Sequence, residues 1–278
     1  MPKRYDYEQL EKDGISDDVH IDGARDESKL KDIDIDANYK FRIKNPIAKF
    51  FAFLFYCLIA LLTPFVVYIA HGARFKGRRN LRNLKNTGAV VIMNHVLYLD
   101  CMIMAQSVFP KKLYFQVMEN NMKIPVISTL IKCCGCMPIP KKQSAKKVYI
   151  SETDKILKEE KKCVGIYPEA ALWPYYTQIR KFKPGAFHFA VKNDVPIIPI
   201  VINFRASRGI QKKLNMRVRY VTVHIGKPIY PNKELPFNES VTELTERSHN
   251  TMLRMNHWFK VIDEGRVKSQ EKLNNEIF

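Results

Sequence analysis

The 278-residue chain lacks the short motifs that place a sequence at once in a common enzyme class. It has no Gly-rich phosphate loop, so nothing supports a nucleotide-hydrolysing role. It has no Gly-x-Ser-x-Gly elbow either, so a serine nucleophile on a strand-to-helix turn is unsupported. Six cysteines stand at 57, 101, 133, 134, 136 and 163. Cys133, Cys134 and Cys136 are crowded, but no second Cys-x-x-Cys or His pair completes a zinc site, and no metal is expected. A disulfide framework would be out of place in a chain with this much core, which reads as reduced and cytosolic. No internal repeat is visible.

Acidic residues are scarce beyond the first 38 positions. Those 38 carry 6 Lys/Arg against 12 Asp/Glu, whereas the remainder carries 40 against 16. The net +18 of the whole chain thus understates the +24 of its larger part. Such a surplus favours an anionic partner: lipid headgroups, nucleic acid or phosphorylated small molecules. Nucleic acid is the least supported, because basic and aromatic residues are not interleaved along one face, and it is not an expected partner. Hydrophobic residues at 46% and charged ones at 27% describe a folded chain with a substantial core.

Residues 1–38 show no sustained hydrophobic period and read as an acidic, poorly ordered arm. Lys40, Arg42, Lys44 and Lys49 then lead into Phe50–Ala70, 21 residues without a charge. That length suffices to cross a bilayer. The run starts too far into the chain for a signal peptide, its aromatics cluster as they do at membrane interfaces, and Pro64 should kink it. Residues 39–71 are therefore expected to form a membrane-associated helical segment, either spanning or folded back into one leaflet. A buried core helix is the competing account. Basic residues flank both ends, so the positive-inside rule gives no orientation.

Beyond residue 72 strands alternate with helices. Ala89–Met93 and Val164–Tyr167 are short apolar runs, the first after the breaker Thr87-Gly88 and the second after a charged helical stretch, Ser151–Lys162. Ile197–Ile202 carries Pro199, which suggests an edge or a bulge. Met216–Ile225 alternates like a half-buried strand. From Ser240 onward Val241, Leu244, Met252, Met255, Phe259 and Ile262 recur at helical spacing, as in a closing amphipathic helix. The alternation argues an α/β fold, a mixed sheet covered by helices.

The string Asn94-His95-Val96-Leu97-Tyr98-Leu99-Asp100 follows the Ala89–Met93 strand directly. A histidine and an aspartate can act as base and orienter, the carboxylate holding one imidazole nitrogen while the other takes a proton. Five residues separate them, which puts them on different faces of a helix and opposite faces of a strand. They can meet only across a turn. His71, His188, His224, His249 and His257 have no carboxylate nearby in sequence and read as structural or surface residues. Lys141, Lys142, Lys146 and Lys147 read equally well as a solvated face.

Asn-His-x4-Asp after a short apolar strand resembles the signature of the glycerophospholipid acyltransferases, the lysophosphatidic-acid acyltransferase family. Further blocks follow in that family's order. Gly135-Cys136-Met137-Pro138-Ile139-Pro140-Lys141 is similar to the second block. Tyr167-Pro168-Glu169 resembles the opening of the third, Phe-Pro-Glu-Gly-Thr-Arg. Phe182-Lys183-Pro184-Gly185-Ala186-Phe187 is close to the run that follows it, and Val195–Ile200 matches the fourth. The resemblance spans about residues 72–230 and implies an acyltransferase domain over 72–278.

It further implies that His95 deprotonates an acceptor hydroxyl, that Asp100 orients it, and that the thioester is attacked without an acyl-enzyme. The donor would be acyl-CoA or an acyl carrier protein, a co-substrate rather than a cofactor. The acceptor would be a lysophospholipid, and Asn94, Lys141, Glu169, Arg180, Lys183 and Gly185 would contact substrate. The catalytic domain is expected on the cytoplasmic side of a membrane. The chain departs from the family where Gly-Thr-Arg is replaced by Ala170-Ala171-Leu172. Leu172 cannot bind phosphate as Arg does, so either Arg180, Lys181 or Lys183 supplies the charge or the acceptor carries no phosphate there. A non-catalytic, membrane-tethered protein that binds anionic lipid would explain the charge and the apolar run, but not the ordered blocks.

Overall fold

The computed structural model describes residues 33–84, 86–123, 125–205 and 220–263. Most of the acidic stretch 1–38 lies outside these residues. Its described end, from Ile33, runs along the protein with Ile35 inside the core. Phe41 is buried beside it, and Arg42 reaches Glu160 at 2.5 Å and Glu152 at 3.6 Å.

Helix α1 begins at Pro46, a residue that loses nothing at the first helical position because its missing N–H would have no partner there. Asn45 caps it, its side-chain oxygen accepting from the amides of Ile47 and Ala48. The α-helix runs over Pro46–Pro64 and passes into a π-helical turn, Phe65–Ala70. Pro64 therefore does not end the helix. Its register loosens beyond the proline, so that the His71 amide donates to the carbonyl of Val66 five residues back. Pro46–Ala70 is 25 residues, about 37 Å at 1.5 Å per residue, against a bilayer core of about 30 Å. Phe50, Phe51, Phe53, Leu54, Leu58, Leu61, Leu62, Phe65 and Ile69 are exposed, which excludes the core-helix account. One side of α1 rests on helices α2 (Asp100–Val108) and α3 (Pro125–Cys133).

Among the described residues seven strands follow: β1 (Arg74–Lys76), β2 (Ala89–Met93), β3 (Leu113–Met118), β4 (Cys136–Ile139), β5 (Cys163–Ile166), β6 (Ile197–Arg205) and β7 (Tyr220–Ile225). They form one sheet in the order β1-β7-β6-β2-β5-β3-β4. β6, β2, β5, β3 and β4 are parallel, β7 is antiparallel to β6, and β1 is parallel to β7. The mixed α/β sheet expected from the alternation is the observed fold.

The pleat divides the core in two. Val90, Ile92, Val164 and Val201 face helices α4 (Gln143–Asp154), α5 (Gly185–Asn193) and α6 (Phe237–Asp263). Ala89, Val91, Met93, Ile198 and Ile200 face α2 and the end of the apolar helix at Val67. Both faces are covered, which is why these strands read as continuous apolar runs. Gly165 permits the close approach of α2, since a Cβ there would lie 2.7 Å from Met104 Sδ.

Three sequence readings change. The charged helix starts at Gln143 and takes in Lys146 and Lys147, with a π-helical turn over Lys155–Glu159 that buries Ile156 and Leu157. β6 is an interior strand, not an edge. Pro199 is tolerated because pairing slips by one residue beside it: Ile200 opposes Ile225, yet Ile197 opposes Ile229. β7 starts at Tyr220 and is buried along its whole length rather than on one face, while residues 216–219 lie outside the described ones. On α6, Val241, Leu244, Met252 and Met255 enter the core as expected. The side chains of Phe259 and Ile262 are not among those described.

Candidate active site

β2 is the middle strand of the seven, and its carboxyl end opens directly into Asn94 and His95. Carboxyl ends of parallel strands are where α/β sheets place ligands. Val96–Leu99 makes the turn that the five-residue spacing demanded, and Asp100 begins α2. Across that turn His95 Nδ1 lies 2.9 Å from Asp100 Oδ2. The same oxygen accepts from the amides of Val96 at 3.1 Å and Leu97 at 3.2 Å. Tyr167, just past the end of β5, donates its hydroxyl to the other oxygen, Oδ1, at 2.7 Å.

The Asp100 side chain is 1% exposed, so its charge is tolerable only with such a set of donors. It also sits at a helix N-terminus, where the backbone dipole favours an anion. His95 keeps 19% of its side chain in solvent, and no described residue bonds its Nε2. A carboxylate accepting at Nδ1 requires the proton on that nitrogen and leaves Nε2 as the acceptor. The imidazole is therefore prepared to take a proton from outside the protein.

A second layer fixes this loop. Trp173 and Tyr175 donate their amides to the carbonyls of His95 and Val96 at 3.1 and 2.8 Å. The His95 amide donates to Glu169 Oε2 at 3.4 Å. Glu169 in turn accepts from the Arg180 amide and guanidinium, each at 3.1 Å. The guanidinium also donates to the Ala171 carbonyl and lies over the Trp173 ring, 4.6 Å from its centroid. Burial pushes the Glu169 carboxyl upward, and Arg180 with the two amides pulls it back.

The expected substrate contacts separate into two groups. Asn94, Glu169 and Arg180 are buried and bonded within the protein. Asn94 gives its amide to the Ile202 carbonyl at 3.1 Å and accepts the Ile202 amide at 2.8 Å, which adds a side-chain rung between β2 and β6. Glu169 and Arg180 keep 0% and 2% of their side chains exposed and are paired with each other. Leu172 itself is buried.

Lys141, Lys183 and Gly185 are at the surface. The Lys183 amide donates to the Pro168 carbonyl at 2.8 Å, which holds it beside the end of β5. Lys141 follows β4, three strands from β2, or about 14 Å along the sheet. Gly185 opens α5, with free space where a side chain would begin. Of the other histidines, His249 donates Nε2–H to the Arg180 carbonyl at 3.1 Å, and His224 is buried in β7, where burial holds it well below its ordinary value. The roles of Tyr167, Trp173 and Tyr175 were not read from sequence. The one signal was the density of aromatics immediately after Pro168-Glu169.

A mixed α/β sheet with a His–Asp contact at the carboxyl end of its middle strand is a geometry suited to general-base chemistry. Residues 73–203 match the family model described as Acyltransferase, in keeping with the resemblance to the glycerophospholipid acyltransferases. Among solved structures it is similar to the crystal structure of the 1-acyl-sn-glycerophosphate (LPA) acyltransferase PlsC from Thermotoga maritima. The identity is 18%, over 73% of this chain and 95% of that one, with a TM-score of 0.43. No curated protein matches the chain.

Removing Arg180 should destabilise the site through Glu169. Arg180→Met leaves a buried carboxylate without its partner and should cost about 3–5 kcal/mol. Adding Glu169→Gln should recover a large part of that. Denaturant midpoints of the two variants measure both effects; a double variant no more stable than the single one would show that the pair is not coupled.

Proposed function

We propose that the chain is a membrane-associated O-acyltransferase that moves a fatty acyl group from a thioester to the hydroxyl of a lysophospholipid, with 1-acylglycerol-3-phosphate as the leading acceptor. The observation that carries this reading is the 2.9 Å contact between His95 Nδ1 and Asp100 Oδ2, with Nε2 turned to solvent. In the proposed reaction Nε2 takes the acceptor's hydroxyl proton as its oxygen attacks the thioester carbonyl. Asp100 stabilises the imidazolium that results. The tetrahedral intermediate collapses with expulsion of the thiolate, and His95 returns the proton to that sulfur. No acyl-enzyme forms, and the base is regenerated within one turnover. Acyl-CoA and acyl carrier protein are the candidate donors.

Tyr98 and Leu99, both exposed, flank the pair and suit an acceptor that carries an alkyl chain. The exposed face of α1 supports attachment to a membrane, with Arg74, Arg78, Arg79 and Arg82 following it at the surface. Six free thiols are compatible with a catalytic domain on the reducing, cytoplasmic side. A second reading keeps this chemistry but gives the acceptor no phosphate, and it is favoured by the burial of Leu172 and Arg180.

His95→Ala should lower transfer roughly 10²–10⁴-fold while leaving the fold intact. Purified protein given a labelled acyl thioester and a panel of lysolipids, read by mass spectrometry, tests this; wild-type turnover in the variant would end the mechanism. The same panel decides the acceptor. A charge-assisted contact is worth about 1.5–3 kcal/mol, so Lys183→Ala should raise the KM for a phosphorylated acceptor roughly ten- to a hundredfold and barely change that for the donor. Lys141→Ala, farther along the sheet, should do less. Equal effects on donor and acceptor, with a phosphate-free lipid as best substrate, would favour the second reading. Membrane attachment has its own check. The full-length chain should resist extraction by high salt and yield to detergent, whereas Phe51→Glu with Leu54→Glu and Leu58→Glu should make it salt-extractable.

A further inference from the structure

Tyr167 makes two contacts that the proposed chemistry has not yet used. Its ring lies flat against the His95 imidazole, with centroids 3.9 Å apart and planes 13° from parallel. Its hydroxyl donates to Asp100 Oδ1 at 2.7 Å, the oxygen that His95 does not touch. One side chain thus meets both members of the pair, from a strand end 67 residues away in sequence. The block that this segment resembles opens on Phe, which has no hydroxyl.

We propose that Tyr167 is a positioning residue for the His95–Asp100 pair: its ring sets the plane of the imidazole, and its hydroxyl sets the orientation and basicity of the carboxylate. The inference rests on the dyad reading above. Flat stacking leaves the imidazole free to slide but not to tilt, which fixes the direction of Nε2. The hydroxyl prevents the carboxylate from rotating about its Cβ–Cγ bond. It also draws part of the anionic charge toward Oδ1 and away from the Nδ1–H contact. An imidazolium at His95 is stabilised less by such a carboxylate. Burial, aided by the Asp100 charge, raises the phenol well above its ordinary value, so it stays a donor throughout.

The other titratable groups around the pair do not substitute for it. His71, at the end of the apolar helix, is held down by burial and drawn up by Asp100. Cys101, next to Asp100 on α2, is pushed up to about 12, chiefly by burial. Cys136 on β4 faces Tyr167 and is likewise raised by burial. Glu169 is paired with Arg180 behind the His95 amide. All of these are common to the wild type and a Tyr167 variant, so a difference between the two reports the side chain at 167.

The full-length protein with Tyr167→Phe and with Tyr167→Leu tests the proposal through pH profiles of transfer. Tyr167→Phe keeps the ring and removes the donor. Asp100 then holds the imidazolium more strongly, and the acid limb of kcat/KM should move up by about half a pH unit to one unit, with kcat several-fold lower at its plateau. Tyr167→Leu also removes the ring and should lower kcat roughly tenfold further with the donor KM unchanged. An acid limb that superimposes on that of the wild type in Tyr167→Phe would overturn the proposal, and that variant carries the test even if Tyr167→Leu fails to fold. His95→Ala run alongside separates the two ideas. Full activity there removes the dyad itself, whereas an inactive His95→Ala with an unmoved limb in Tyr167→Phe removes only the role of Tyr167.

Discussion

The Asp100 carboxylate is out of solvent and bonded on both oxygens, by an imidazole, two backbone amides and a phenol. A buried charge left without such partners would cost several kcal/mol, and truncating any one donor leaves part of that cost exposed. The geometry of the neighbouring chain follows from this requirement. Val96 and Leu97 must turn their amides inward, which bends the loop back on itself and brings His95 over the start of α2. Tyr167 must sit within reach of Oδ1, which ties the end of β5 to the end of β2. Trp173 and Tyr175 then close the loop from outside through the His95 and Val96 carbonyls. A single ionised group thus organises three segments that are remote in sequence.

The Glu169–Arg180 pair does for the outer layer what Asp100 does for the inner one, with a difference in kind. Asp100 faces an imidazole that can change its charge, whereas Arg180 is fixed as a cation. The inner carboxylate therefore belongs to a group able to exchange protons, and the outer one to a static brace. The distinction bears on how substrate is recognised. An arginine in the third block would ordinarily be the first choice for a phosphate, but this chain has Leu172 in that place and turns Arg180 inward. On the proposed function, recognition of an anionic acceptor would fall to surface cations such as Lys183.

Elements whose signals are local could be read in the sequence. Ala89–Met93 was visible because a breaker precedes five apolar residues, and Val241, Leu244, Met252 and Met255 because helical spacing marks one buried face. Pro199 left two readings open, an edge or a bulge, and the choice between them rests on a register slip that involves Ile229, far along the chain. The dyad lay between these cases. Its spacing permitted a meeting across a turn and the block order identified it, but nothing in the spacing fixed Asp100 as buried. Contacts across long separations were not legible. Asn94 meets Ile202 108 residues away and Tyr167 meets Asp100 at 67, and neither pairing leaves a periodic trace.

β1 runs against β2, so the chain enters the sheet at the same end from which β2 delivers His95. Had β1 run parallel to β2, the apolar helix would have joined the opposite rim, about a strand's length from the dyad. Instead the helix ends at His71, near enough to Asp100 to feel its charge, and Gly72 and Ala73 lead straight into β1. The Val221 amide donates to the His71 carbonyl at 3.1 Å, which clamps the junction to β7. The height of the dyad above whatever surface holds that helix is consequently set by the fold, not by a linker's length.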